Sequence, residues 1–235
     1  MSTLVVIPTY NESQNVQLIT SRVLAAQPQV EILVVDDNSP DGTGKIADEL
    51  AADDERIHVL HREGKQGLGA AYRAGFAWAL ERDYDFICEM DADGSHRPED
   101  LGRLLAKAPE FGLVLGSRWV PGGSVVNWPK KREWLSRAAS AYSRVMLGIA
   151  VKDATAGFRV FQRRTLAAID LGRVASQGYC FQIDMTRRVR ALGHSVTEVP
   201  VTFVERELGQ SKMTWEIVRE AMWSVTVWGF SRLRP

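Results

Sequence analysis

Asp91 and Asp93 stand one residue apart at the end of an apolar run over residues 86–90, a pattern that delivers two carboxylates to the rim of a sheet. Hard divalent cations such as Mg²⁺ and Mn²⁺ take oxygen ligands and keep positions open for phosphate oxygens, so the pair points to chemistry on a diphosphate. A short acidic pair at a strand end is equally compatible with simple solvation, and context has to decide. Two more strand ends supply it. Residues 4–7 run into Pro8, Thr9, Tyr10, Asn11 and Glu12, and residues 32–35 run into Asp36, Asp37, Asn38 and Ser39. In open α/β sheets ligands gather outside the carboxyl ends of parallel strands, which predicts one shared crevice for all three clusters.

The elements that must position these residues follow from periodicity. Short β-branched runs alternate with helical segments: strand 4–7, helix 14–26, strand 31–35, helix 43–53, strand 57–61, helix 68–82, strand 86–90, helix 98–108 and strand 113–117. That order predicts an α/β fold, a single Rossmann-like, doubly wound, mostly parallel sheet. Asn11 followed by Gln14 reads as a capping box, and Pro98 suits the first position of a helix. The glycine-rich stretch 64–69 lacks the Gly-Lys-Ser/Thr ending of a phosphate loop and reads as a turn with close helix packing. Residues 120–128 form a Gly- and Pro-containing loop, either an active-site lid or a surface connection. Beyond it, Trp134, Leu135, Ala138, Ala139, Tyr142, Val145, Met146 and Ile149 recur at helical spacing, a stripe expected to be mostly core. The last helix, residues 214–230, carries apolar residues on nearly every side and is followed by Arg232 and Arg234. It needs cover from the body, from a partner protein or from a membrane interface, and the basic tail favours the interface. The expected division is therefore a catalytic domain over 1–213 and an amphipathic C-terminal helical segment over 214–235.

The 235-residue chain is 45% hydrophobic, enough for a sizeable core. Its formal charge of zero hides an asymmetry: residues 1–117 carry 10 Lys+Arg against 20 Asp+Glu, and the remainder carries the opposite excess. An acidic half suits a cation, and a basic half suits phosphates or an anionic membrane, not nucleic acid in particular. Two cysteines, Cys88 and Cys180, exclude a disulfide framework or a Cys-rich zinc site and fit a reducing compartment. There is neither a basic segment leading into an apolar signal sequence nor an apolar run of about 18 residues, so the expected location is peripheral, on the cytoplasmic face of a membrane.

Three motifs, VIPTYNE at 6–12, VVDDNSPDGT at 34–43 and MDADGSH at 90–96, together resemble glycosyltransferase family 2, the inverting enzymes of GT-A fold. Later motifs, GSR at 116–118, the spacing of Arg132 and Ser136, DATAGFR at 153–159, GYCFQ at 178–182 and ERELGQSKM at 205–213, are similar to the branch of that family that transfers mannose to polyprenyl phosphates. The resemblance covers nearly the whole chain. It implies that Pro8, Tyr10, Glu12, Val35 and Asp37 cradle the nucleoside of GDP-mannose, that Asp91 and Ala92 meet the donor, and that Asp93 ligates Mg²⁺ or Mn²⁺ beside Asp91. It further implies that Arg206 and Lys212 neutralise the leaving diphosphate, that Arg118 clamps phosphate on the donor side, that Arg132, with Ser136, holds the phosphate of the polyprenyl phosphate lipid, and that Asp93, Arg118 and Arg132 are the catalytic residues. Part of the family has a metal-binding Gln where Ser95 stands here, which leaves Ser95 as a weaker third ligand with His96 as its neighbour.

Guanidinium groups suit phosphate because they donate in bidentate fashion. No residue stands out as an obligatory base, and none is needed: a phosphate monoester, with a second pKa of about 6, is already mostly anionic at neutral pH. Attack on the sugar opposite the leaving group would invert the anomeric centre. Three rivals compete with that reading. A phosphatase with an Asp nucleophile loop would carry the motif on its first core strand, whereas here it follows the fourth. A receiver-type signalling domain is excluded by the same kind of mismatch and by length. A nucleotide-sugar-binding scaffold without turnover, or glucosyl transfer from UDP-glucose, remains, as does a separate membrane protein as partner.

Overall fold

The computed structural model describes residues 1–176, 178–206 and 215–232. Along the chain run β1 (Thr3–Thr9), α1 (Val16–Ala26), β2 (Glu31–Asp36), α2 (Thr43–Asp53), β3 (Ile57–His61), α3 (Leu68–Leu80), β4 (Phe86–Glu89), a 3₁₀ turn (Pro98–Asp100) leading into α4 (Leu101–Leu105), and β5 (Leu113–Ser117). Then follow β6 (Ser124–Val126), α5 (Lys130–Leu147), β7 (Arg159–Gln162), α6 (Arg163–Ala167), α7 (Gly178–Ala191), β8 (Val196–Pro200), β9 (Thr202–Val204) and α8 (Trp215–Arg232). The main sheet has the order β3-β2-β1-β4-β7-β5-β8. All its neighbours are parallel except β7, which runs antiparallel to both β4 and β5. A small parallel ladder joins β6 to β9.

After β1 the chain builds outward through β2 and β3, then returns to lay β4 on the other side of β1. That reversal opens the crevice at the carboxyl ends of β1 and β4. Strand residues 4–7, 32–35 and 113–115 are all fully buried, as expected for strands covered on both faces. One core layer joins Val6, Val35, Tyr72, Phe76, Phe161 and Phe181, with Tyr72, Phe76 and Phe181 stacked. The other joins Val5, Ile7, Ile19, Ile32, Leu101 and Val160.

Several expectations need correcting. The capping box does not form. Asn11 takes a left-handed backbone (φ 57°) that turns the chain out of β1, and Asn15 caps α1 without a side-chain hydrogen bond. The segment after Pro98 is shorter than expected: Pro98 starts a 3₁₀ turn, and α4 ends at Leu105. Residues 120–128 are not all loop, since β6 lies within them. The stripe on α5 is not mostly core, because α5 lies outside the layer that covers the sheet. Trp134 is 77% and Val145 76% exposed, and the buried positions of α5 are Ser140, Ser143 and Leu147.

Among the described residues the final helix packs against α5 and α7. Val225 of α8 is buried in the core, the Tyr142 hydroxyl lies 2.6 Å from Thr226 Oγ1, and Arg187 stacks over Trp228. Trp223 (72% exposed) and Phe230 (60%) point away from the body. Among the described residues no helix is long and apolar enough to cross a membrane.

Gly75 shows how closely α3 sits on the strands. A Cβ there would lie 2.5 Å from Val6 Cγ1 and 3.2 Å from Val35 Cγ2. Gly→Ala inside a helix normally stabilises by about 1 kcal/mol. Here the clash should reverse the sign, so we expect Gly75→Ala to destabilise by about 1–3 kcal/mol, measured by urea unfolding with an unchanged m value.

Candidate active site

The crevice is built from strand ends. Pro8 and Val35 are register partners across β1 and β2, which places the residues that follow each strand side by side. The Thr9 hydroxyl donates to Asp36 Oδ1 (2.8 Å), and the Asp37 N–H donates to Thr9 O (3.1 Å). Glu12 is buried, accepts from Asn15 Nδ2 (2.8 Å), and donates its backbone N–H to Thr43 Oγ1. Tyr10 presents its ring to Lys65, whose Nζ lies 4.3 Å from the centroid. Asp37 forms an ion pair with Arg62, which also reaches Gln66. Burial pushes the Asp37 carboxyl above its ordinary range despite that guanidinium.

At the end of β4, Asp91 and Asp93 diverge in environment. The Asp91 N–H donates to His96 Nδ1 (3.0 Å), and the Tyr72 hydroxyl donates to Asp91 Oδ1 (3.3 Å). Burial holds the Asp91 carboxyl above the usual range. Burial also acts on Asp93, but the Arg206 guanidinium 3.0 Å away and the Ser95 N–H outweigh it and hold that carboxyl below the usual range. His96 is buried between Phe158 and Phe203, and burial lowers its pKa, so its Nδ1 serves as a neutral acceptor that fixes the Asp91 backbone. Ala92 is buried between the two acids.

The two carboxylates and Ser95 Oγ form a set of hard oxygen donors. Ser95 is buried next to Asp93, and its hydroxyl and N–H both help to hold the Asp93 carboxylate ionised. No group of three His, Cys, Asp or Glu side chains converges among the described residues. Such a site suits Mg²⁺ or Mn²⁺, which fill their remaining positions with water and substrate phosphates.

Across the crevice lies a groove of about 310 Å³ between α5 and α8. Its walls are apolar, with Leu135, Ala139, Tyr142, Ile183 and Val225. One end is polar, with Arg118, Arg132, Ser136 and Thr155. Arg118 is buried and bidentate to Asp153, with Nε 2.7 Å from Oδ2 and Nη2 2.6 Å from Oδ1. Nη2 also donates to Thr155 Oγ1 (2.9 Å). Its guanidinium is ringed by Trp119, Trp128 and Phe203. Arg132 stacks on Trp128 at 4.1 Å and pairs with Glu205. Ser136 Oγ lies 3.4 Å from Thr155 Oγ1. The indole N–H groups of Trp119 and Trp128 are buried and have no partner among the described residues.

The structure thus brings Pro8, Tyr10, Glu12, Val35 and Asp37 to one side of the crevice, and Asp91, Ala92, Asp93, Ser95 and Arg206 to its floor. Arg118, Arg132 and Ser136 lie at the groove. Lys212 lies outside the described residues. Sequence reading missed Arg62, Tyr72, Trp128, Asp153 and Glu205. The 153–159 motif was the available signal for Asp153, but its partner Arg118 is 35 residues away.

The family model for glycosyl transferase family 2 matches residues 4–169. This chain belongs to glycosyltransferase family 2. The chain is 60% identical over 230 residues to a polyprenol monophosphomannose synthase of Mycolicibacterium smegmatis, covering 97% of this chain and 86% of that protein. It is 55% identical over 231 residues to an undecaprenyl-phosphate mannosyltransferase of Micrococcus luteus, covering 98% and 95%. Among solved structures, glucosyl-3-phosphoglycerate synthase from Mycobacterium tuberculosis with Mn²⁺, UDP and glucosyl-3-phosphoglycerate superposes with a TM-score of 0.67 at 20% identity, covering 98% of this chain and 79% of that one. That likeness establishes the GT-A fold.

The Arg118–Asp153 pair anchors the polar end of the groove. Removing one member of a buried ion pair strands the other, so Asp153→Ala should cost about 3–5 kcal/mol of stability, read from denaturant unfolding. A loss below 1 kcal/mol would show that Arg118 finds another acceptor.

Proposed function

We propose that this family 2 glycosyltransferase transfers mannose from GDP-mannose to a polyprenyl phosphate with inversion at the anomeric carbon, giving polyprenyl phosphate mannose and GDP. The observation that carries the reading is the placement of an apolar groove ending in Arg118, Arg132 and Ser136 beside the Asp91/Asp93 crevice. The two sites are so close that adjacent residues, Glu205 and Arg206, touch Arg132 and Asp93 respectively. The groove fits an isoprenoid tail with an anionic head, and the relatives named for mannosyl transfer to such lipids match nearly the whole chain.

In this reading Pro8, Tyr10, Glu12, Val35 and Asp37 hold the nucleoside. Carboxylates can accept from base N–H and ribose hydroxyl groups, and Tyr10 offers a ring face. Asp93 and Asp91, with Ser95 beside them, would hold Mg²⁺ or Mn²⁺, which supplies charge neutralisation for the departing diphosphate. Arg206 and Lys212 add positive charge on the same leaving group. Arg132 and Ser136 orient the acceptor phosphate, and Arg118, its fork committed to Asp153, contributes a fixed positive charge beneath it. The phosphate oxygen attacks without a protein base, so in-line positioning carries most of the chemistry.

The segment 214–235, with exposed Trp223 and Phe230 on α8 and exposed Trp134 and Val145 on α5, is assigned to a peripheral membrane contact on the cytoplasmic face. The groove between α5 and α8 would then receive the acceptor directly from the bilayer.

A panel of GDP-mannose, UDP-glucose and other nucleotide sugars with Mg²⁺ or Mn²⁺ and a short polyprenyl phosphate tests the donor and acceptor together. GDP-mannose should be turned over preferentially, with β-linked product detected by NMR. Preference for UDP-glucose would reassign the donor, and no turnover of any sugar would leave a binding scaffold. Asp93→Ala should lower kcat by about 10²-fold or more at saturating metal, and full activity would remove the metal assignment. Arg132→Ala should raise the acceptor KM by about tenfold or more, the value of a charged hydrogen bond, and leave the GDP-mannose KM within about twofold. Equal loss toward both substrates would mark a shared structural role. Replacing Trp223 and Phe230 with Ser should weaken binding to anionic vesicles by about tenfold or more without changing GDP-mannose affinity, because each ring loses apolar burial worth about 1.5–3 kcal/mol. Unchanged vesicle binding would place the membrane contact elsewhere.

A further inference from the structure

Glu205 and Arg206 follow β9 and are held by backbone bonds on two sides: Val204 N–H donates to Ser95 O (3.1 Å), and Glu205 N–H donates to Val126 O (3.0 Å). From this one place the two side chains reach opposite charges in the two halves of the site. Glu205 accepts from Arg132 Nη1, 2.5 Å from Oε1. Arg206 Nη2 lies 3.0 Å from Asp93 Oδ2. The pairs are largely shielded from solvent, with side-chain exposures of 17% and 25% for Arg132 and Glu205, and 21% and 7% for Arg206 and Asp93. At such exposures the pairs are screened less than surface ion pairs are.

We propose that Glu205 and Arg206 are built-in stand-ins for the charges of the two ligands, and that loading the donor with its cation releases Arg132 for the acceptor. The proposal rests on the reading of Arg132 as the acceptor-phosphate group and Asp93 as the metal carboxylate. In it, the Glu205 carboxylate occupies the place of a phosphate, and the Arg206 guanidinium occupies the place of a cation. Each ligand outranks its stand-in in charge. A phosphate monoester carries about −1.5 to −2 near neutral pH against −1 for Glu205, and the cation carries +2 against +1 for Arg206. With a divalent cation on Asp93, Arg206 would lose its attraction there and turn from Asp93 to the donor diphosphate. Because Arg206 is bonded to Glu205, its departure pulls on the Glu205–Arg132 pair. Donor loading therefore tightens acceptor binding, and acceptor binding must tighten donor binding by the same factor. An empty enzyme keeps its acceptor arginine covered, and so avoids holding a lipid phosphate before a sugar is present to receive it.

The test is calorimetric and independent of turnover, using the full chain, farnesyl phosphate as acceptor probe and GDP with Mn²⁺ as donor probe. In the wild type, GDP and Mn²⁺ together should tighten farnesyl phosphate binding by about tenfold, within the usual range of coupling between sites. In Glu205→Gln, farnesyl phosphate should bind about tenfold tighter than in the wild type without nucleotide, and GDP with Mn²⁺ should then add less than about twofold. Glu205→Asp, one methylene shorter, should shift affinity in the same direction and serves if the Gln variant folds poorly. Wild-type or weaker affinity in the folded variants would overturn the proposal and show that Glu205 merely positions Arg132. So would a donor effect that persists undiminished in Glu205→Gln. Arg132→Ala separates the underlying reading: if that variant binds farnesyl phosphate as strongly as the wild type, the acceptor assignment itself falls, whatever Glu205 does.

Discussion

A single buried guanidinium underlies the arrangement of the site. Arg159, fully buried on β7, donates to Ala156 O, Gln182 O, Thr186 Oγ1 and Ala154 O at 2.6, 2.7, 3.0 and 3.1 Å. Taking an unpaired cation out of water costs several kcal/mol, so these acceptors are a condition of the fold and not an accessory to it. Arg159 also sits opposite Glu89 in the β4–β7 register. Glu89 is fully buried, and burial lifts its carboxyl to about 7 even though Arg159 and the Gln182 side chain oppose the shift. The burial of Arg159 itself lowers its guanidinium to about 10, even though Glu89 opposes that shift. The pair joins the strand that carries Asp91 and Asp93 to the turn that carries Asp153 and Thr155.

That turn links the two halves of the chemistry. Asp153 fixes Arg118 at the groove, and Thr155 lies within reach of Ser136. Two residues on, Gly157 leaves just enough room for His96, since a Cβ there would lie 3.2 Å from the His96 ring and 3.8 Å from Asp91 Oδ2. His96 in turn holds the Asp91 backbone. Displacement of the 153–159 turn would therefore reach the acidic floor and the basic groove together. The antiparallel β7 makes this possible, because it returns the chain between β4 and β5 with its start beside their carboxyl ends.

The parallel core was legible because buried strands announce themselves as β-branched runs, and β1 to β5 fall within two residues of the expected bounds. The strand-end acids were legible for the same reason: their chemistry is concentrated within a few consecutive positions. The antiparallel β7 and the three-residue strands β6 and β9 were not, since their pairing is long-range and their lengths are too short to show alternation. The apolar stripe on α5 marked a face without revealing what covers it. The partners of the candidate residues were hidden most deeply. Asp37 meets Arg62, Arg118 meets Asp153, and Arg132 meets Glu205 across 25, 35 and 73 residues, and only the completed topology specifies such pairs.

The size of the groove bears on which lipids the enzyme can tell apart. At about 310 Å³ it stands at the lower end of cavities that enclose drug-sized molecules, about 300–1,000 Å³. On the proposed function it can enclose the head and the first isoprene units of an acceptor, while the rest of the chain stays in hydrocarbon. Carbons beyond that point contact nothing that differs from bulk lipid, so they add no discrimination at the protein. Stereochemistry and saturation close to the phosphate can be read, and total chain length cannot. The range of acceptors used in a cell would then be set by the polyprenols its membrane contains.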